Sequence, residues 1–160
     1  MQIVPVDEIP QATEAPTDNL IDLFKLATKL EQVCFSKNGI GISAVQVGIP
    51  IKFFVINRNN SFEYYLNCDY EGYGEKVKSI EGCLSLLDKD GNTRRFEVER
   101  YSEVTVKGKQ LIITDSSSLE LKDINLVEKG LYSIVFQHEI DHQYKRNRMI
   151  DVIGKEMEFR

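Results

Sequence analysis

The segment His138-Glu139-Ile140-Asp141-His142 holds the only two histidines of the chain, four residues apart, with a glutamate after the first. On a helix, residues four apart share one face, so both imidazoles can reach a single metal ion. Glu139 then projects beside them, close enough to take a proton from a water held by that ion. This is the pattern of metal-assisted hydrolysis. The plainer reading, a core helix with two incidental histidines, does not account for the spacing.

A hydrolytic site of this kind needs a third protein ligand and one open position. The extended form H-E-x-x-H-x-x-G-x-x-H is excluded, because its glycine would fall at Lys145 and its third histidine at Arg148. A downstream glutamate would be Glu156 or Glu158, and the sequence stops at Arg160 without room for the helix that should present it. The third ligand is therefore expected from upstream. Cysteine is the natural residue type, since a thiolate is a strong ligand for this class of ion. Cys34 falls on an apolar helical face and reads as core; Cys68, between Asn67 and Asp69, reads as structural. Cys83 lies in Glu81-Gly82-Cys83-Leu84-Ser85, where Gly82 lets the backbone approach a partner closely. Taken alone, a free cysteine is more often a small buried hydrophobe than a ligand.

A third segment is Gly39-Ile40-Gly41-Ile42-Ser43-Ala44-Val45-Gln46-Val47-Gly48. As G-x-G-x-x-A it would suggest dinucleotide binding, but that fingerprint requires a strand before it and a helix after it. Here the order is reversed. Two readings remain: an extended edge beside a cleft whose backbone pairs with a ligand, or a plain glycine-containing connection with Gln46 on the surface.

The elements that must position these segments are legible in outline. Leu20, Phe24, Ala27, Leu30 and Cys34 recur three or four apart, which predicts an amphipathic helix from Asn19 to about Ser36. Asp18 is its expected cap and Asn38-Gly39 its stop. Residues 1–17 read as an irregular or clamped arm. Ile51–Asn57 and Phe62–Asn67 read as a hairpin across Arg58-Asn59-Asn60-Ser61. Further strands are expected at Lys76–Ile80, Phe96–Val106, Gln110–Ile113 and Leu119–Leu121, with turns at Lys107-Gly108-Lys109 and Asp115–Ser118. A second helix is expected over roughly Ile124–Tyr144, followed by Lys145, Arg146 and Arg148, basic residues that suit a helix end. The fold class is α+β: antiparallel strands packed around a central metal-binding helix, with an N-terminal helix, in one domain over 1–160.

Composition narrows the function classes. With 160 residues, 42% hydrophobic and 28% charged, the chain can bury a core without disulfides or a structural metal. A net charge of −5 argues against a non-specific DNA binder. No apolar run approaches the roughly 20 residues that cross a bilayer. The N-terminus lacks the basic and apolar regions of a secretory signal. Three cysteines suit a reducing compartment, so a cytoplasmic location with no membrane contact is expected.

Taken together and in this order, Gly39–Gln46, Glu81–Ser85 and Gln137–His142 resemble the three signature motifs of the peptide deformylases. Two departures stand out: Ile42-Ser43 where Leu-Ala is usual, and Gln143-Tyr144-Lys145 where Leu-x-Gly follows the second histidine. The sequence ends soon after Met149-Ile150-Asp151, which makes it similar to the short forms, such as those encoded by phages. The resemblance implies removal of the formyl group from the formyl-methionine of new polypeptides, with release of formate. It implies that Cys83, His138 and His142 bind one divalent metal, Fe²⁺ foremost, with Zn²⁺, Ni²⁺ and Co²⁺ open. A thiolate and two imidazoles leave such a site with a net charge of about +1, which suits a borderline ion.

Under the same resemblance, Glu139 acts as base and then acid. The Gln46 side-chain amide and the Leu84 backbone N–H face the developing oxyanion. Ile40, Gly41 and Gly82 bind the peptide as an added strand, and Ile134 and Val135 line the methionine pocket. Asp141 is expected to anchor the helix through an ion pair. The implied partner is a formyl-methionyl peptide, met by a monomer, with association to the ribosome as a further implied contact; the Lys145–Arg148 cluster reads first as a solvated helix end and only second as an RNA contact. Competing readings are a peptidase of internal bonds, a silent protein whose zinc is closed by Cys34 or Cys68, and a peptide-binding module without turnover.

Overall fold

A computed structural model describes residues 1–5, 8–87, 90–144 and 155–157. The apolar spacing near the N-terminus forms helix α1, Leu20–Ser36, which buries Leu23, Ala27, Leu30 and Cys34. Its cap is Asn19 rather than Asp18: the Asn19 side chain accepts the Asp22 N–H at 3.1 Å. The helix stops where expected, with Asn38 at φ 54° and the Gly39 N–H returning to the Cys34 carbonyl.

Antiparallel strands follow: β1 (Gly41–Ser43), β2 (Phe53–Arg58), β3 (Ser61–Leu87), β4 (Thr93–Ile113) and β5 (Leu119–Lys129), hydrogen-bonded in that order. A short β6 (Lys155–Met157) pairs with β4. The hairpin between β2 and β3 turns through Asn59 and Asn60, at φ 52° and 67°. Two such residues give the turn that matches strand twist.

Two expectations are corrected here. The expected strands Phe62–Asn67 and Lys76–Ile80 are one strand, as are Phe96–Val106 and Gln110–Ile113, and Lys107-Gly108-Lys109 is not a turn. Gly108 faces a register shift in β3, and a Cβ on it would sit 2.5 Å from the Cys68 sulfur. That glycine marks a close backbone approach at a bulge. The second helix, α2, spans Gly130–Gln143; Ile124–Lys129 belongs to β5, whose ladder with Glu103–Gly108 of β4 wins over the helical pattern.

The second helix lies on the sheet through Val135, Phe136 and Ile140, packed with Phe54, Ile56, Tyr65, Val104 and Val106. The Phe136 ring meets Tyr65 edge-on with centroids 5.0 Å apart. A polar pin fixes its position. On the edge of β4 shared by β6 and β5, Tyr101 falls between their ladders. Gln137 takes both of its backbone groups, accepting from the Tyr101 N–H at 3.0 Å and donating to its carbonyl at 2.9 Å.

The N-terminal arm is clamped. The Val4 N–H donates to the Gln46 carbonyl at 2.7 Å and the Ala12 N–H to that of Gln143 at 3.1 Å, while Ile9 and Ala12 pack with Val45 and Cys83. No described helix is long and apolar enough to cross a membrane. The Lys145–Arg148 cluster and Met149-Ile150-Asp151 lie outside the described residues.

Candidate metal centre

The four-residue spacing on α2 brings His138 and His142 together with their Nε2 atoms 3.1 Å apart. Strand β3 delivers Cys83 to the same point, its sulfur 3.3 Å from His142 Nε2. All three donor atoms lie within 4.8 Å of one another. A tetrahedral ion with nitrogen at about 2.0 Å and sulfur at about 2.3 Å would set N···N near roughly 3.3 Å and N···S near roughly 3.5 Å. The donors therefore fit a zinc- or iron-sized cation in spacing and in chemistry.

His138 is oriented from behind. Its Nδ1 lies 2.8 Å from Glu81 Oε1, so Nε2 faces the cluster. Burial lowers the proton affinity of both rings. At His138, hydrogen bonds to Cys83 and Glu81 outweigh it and lift the ring to about 10, whereas His142 falls well below the usual imidazole range. Burial thus keeps the His142 ring neutral, the form that ligates.

Glu81 belongs to a buried chain of charges. It accepts from Arg100 Nε at 2.9 Å and Nη2 at 2.8 Å, and Arg100 Nη1 donates to Asp141 Oδ2 at 2.9 Å. The Tyr70 hydroxyl donates to the other Asp141 oxygen at 2.8 Å. Burial works against charge on Glu81, but the bonds from Arg100 and His138 hold its carboxyl well below the carboxylate range. Asp141 is thus an anchor, as expected. Arg100 was not singled out in the sequence, though a signal exists: Phe96, Val98 and Arg100 share the inward parity of β4 and are all buried. A charge in that register demands buried partners.

Arg100→Leu is expected to cost about 3–5 kcal/mol, because it strands two buried carboxylates. Tyr70→Phe, which removes one hydrogen bond, should cost about 1 kcal/mol. Urea unfolding of metal-loaded protein measures both.

Glu139 is buried beside the cluster. Burial pushes its carboxyl up to about 7, against the pull of His138 and of a hydrogen bond from Ser43. The Ser43 hydroxyl donates to the Glu139 carbonyl at 2.9 Å and reaches Oε1 at 3.4 Å, a contact the sequence did not suggest. Gly41 explains its own identity: a Cβ there would lie 2.9 Å from Glu139 Oε2 and 3.2 Å from the Val55 carbonyl oxygen. Gly41→Ala is expected to displace the carboxyl and lower kcat/KM roughly 10- to 100-fold. Metal content should stay unchanged when measured alongside; loss of the ion would locate the effect in folding instead.

Gln46 sits in a 3₁₀ turn, Ala44–Val47, and is 2% exposed, so the surface reading of this segment fails. Its Oε1 accepts the Ser43 N–H at 2.9 Å, which aims Nε2 at the Cys83 sulfur at 3.4 Å and the Ser85 hydroxyl at 3.3 Å. A cleft of about 380 Å³ gathers Ile40, Gly41, Gln46, Gly82, Cys83, Ile134, Val135, His138 and Glu139 on its walls. His142 stands behind, 1% exposed, and Leu84 follows Cys83 along β3. Among the described residues β1 pairs only with β2, and Ser79–Gly82 only with β4, so each has one open edge. Cys34 and Cys68 lie in two separate core clusters, with thiols pushed by burial up to about 12. Neither joins the metal-ligating group.

The sequence matches the family model described as polypeptide deformylase over residues 2–146. A peptide deformylase of Carboxydothermus hydrogenoformans is 30% identical over 135 residues, which is 84% of this chain and 78% of that one. The crystal structure of the peptide deformylase from Thermotoga maritima is similar with a TM-score of 0.75 at 25% identity, covering 96% of this chain and 97% of that one. The deformylase of the Vibrio parahaemolyticus bacteriophage VP16T, solved in complex with actinonin, gives a TM-score of 0.72 at 26% identity, over 90% of this chain and 97% of that one.

Proposed function

The chain belongs to the polypeptide deformylase family, and on that premise we propose how its own residues take the formyl group from the N-terminus of a new polypeptide. Cys83, His138 and His142 hold one divalent cation. The observation that carries this reading is the convergence of one sulfur and two ring nitrogens beside an open cleft that also presents Glu139 and Gln46. A divalent ion bound there supplies a water acidic enough to ionise near neutral pH and a Lewis acid for the carbonyl.

Glu139, held by Ser43 and wedged against Gly41, accepts the proton of the attacking water and later delivers it to the departing amine. The formyl oxygen gains charge as the carbon becomes tetrahedral. The Gln46 Nε2 and the Leu84 N–H are the donors for it, and losing one such donor typically costs about 10²–10³ in rate. The peptide enters as an extra strand between the open edges of β1 and β3, bonded to Ile40, Gly41 and Gly82. Its methionine side chain lies against Ile134 and Val135. Iron(II) is the favoured ion, with zinc, nickel and cobalt as substitutes, so the native activity is oxygen-sensitive. The protein acts as a cytoplasmic monomer on chains leaving the ribosome.

The test is formate release by anaerobically prepared, metal-quantified protein. Formyl-Met-Ala-Ser should be hydrolysed and acetyl-Met-Ala-Ser left intact. Cleavage of casein without formate release would make the protein an endopeptidase.

A further inference from the structure

The mouth of the cleft is basic, although the chain as a whole carries a net charge of −5. Lys37 contributes from one wall and Arg95 from the other. Lys37 caps the end of α1 and stands four residues before Gly41, on the wall that continues into β1. Arg95 pairs with Gly82 across the β3–β4 ladder, and its Nη1 fills the space that a Cβ on Gly82 would take. The guanidinium therefore lies over the backbone of a wall that a peptide strand would face. Both side chains are exposed, and among the described residues neither forms an ion pair. The carboxylates of the cleft are committed elsewhere: Glu81 binds Arg100 and His138, and Glu139 is buried behind Gly41. Among the described residues this positive charge has no acidic partner.

An extended peptide advances about 3.3 Å per residue. With its formyl end at the cluster, beside Gly41 and Gly82, the residues after methionine run outward past Ile40 toward Lys37, under the reach of Arg95. We propose that Lys37 and Arg95 together select formylated chains that carry an acidic side chain at the third residue. This rests on the deformylase reading and adds a substrate class to it. A carboxylate there gains two cations, and a lysine there is repelled by both. Because the pair is exposed, the preference acts on capture of the substrate and is screened by salt.

The experiment compares holoenzyme kinetics on formyl-Met-Ala-Glu-Ser, formyl-Met-Ala-Gln-Ser and formyl-Met-Ala-Lys-Ser at low ionic strength. The Glu peptide should exceed the Lys peptide in kcat/KM by about tenfold, carried mainly by KM, with the Gln peptide between them. The ratio should shrink at about 0.5 M salt. It should approach one in the Lys37→Gln, Arg95→Gln double variant, and fall below the native ratio in Lys37→Glu. Equal kcat/KM for the three peptides, or a ratio that survives in the double variant, overturns the proposal while leaving deformylation intact. No formate from any of the three would remove the deformylase reading, and this inference with it.

Discussion

Glu139→Gln should bind a full equivalent of metal and lose deformylation by about 10²–10⁴-fold. The substitution keeps the shape of the side chain. Its Oε1 can still accept from the Ser43 hydroxyl, and nothing larger is pressed against Gly41. What disappears is the group that can take a proton and give it back. The proposed ligands Cys83, His138 and His142 are untouched, so metal analysis of the variant should match the native protein. Formate release and metal content measured on the same preparation decide the matter. A variant with native turnover would make Glu139 a bystander to the chemistry. Loss of metal together with rate would place Glu139 in the ligand set.

Cys83→Ser carries the second large effect. A serine hydroxyl stays protonated where a thiolate ligates, so the cluster loses its anionic donor. Outer-shell partners of metal ligands are worth 10- to 100-fold in affinity, and removing a ligand itself should cost at least about 100-fold. Activity should fall in parallel and recover only partly with excess metal. Cys34→Ser and Cys68→Ser are the controls. Both thiols are buried in core clusters away from the site, so either change should lower stability and leave metal content alone. Loss of metal from either control would favour a closed structural site.

The two histidines and Glu139 were readable because helical spacing alone places them. The first helix and the Asn59-Asn60 turn were readable because apolar period and turn chemistry are local. Cys83 was not assignable from its own surroundings; it became so through the order of the three motifs, and its convergence with the histidines depends on a strand meeting a helix 59 residues away. The length of β3 and β4 was hidden by Gly108, whose role as a bulge partner for Cys68 is invisible until the strands are paired. Arg100 and Gln137 were hidden for a related reason. Each satisfies partners far off in sequence: Glu81 and Asp141 for Arg100, and the backbone of Tyr101 for Gln137. The departure after His142 also has a tertiary setting. The carbonyl of Gln143 accepts from the Ala12 N–H at 3.1 Å and from the Gln11 amide at 3.4 Å, so the arm takes part in anchoring the helix exit.

X-ray absorption at the edge of the bound metal addresses the ligand set without recourse to turnover. One sulfur at about 2.3 Å and two imidazole nitrogens at about 2.0 Å, joined by a light atom that a hydroxamate ligand displaces, is the expected shell. A shell without sulfur, or with two sulfurs, would contradict it.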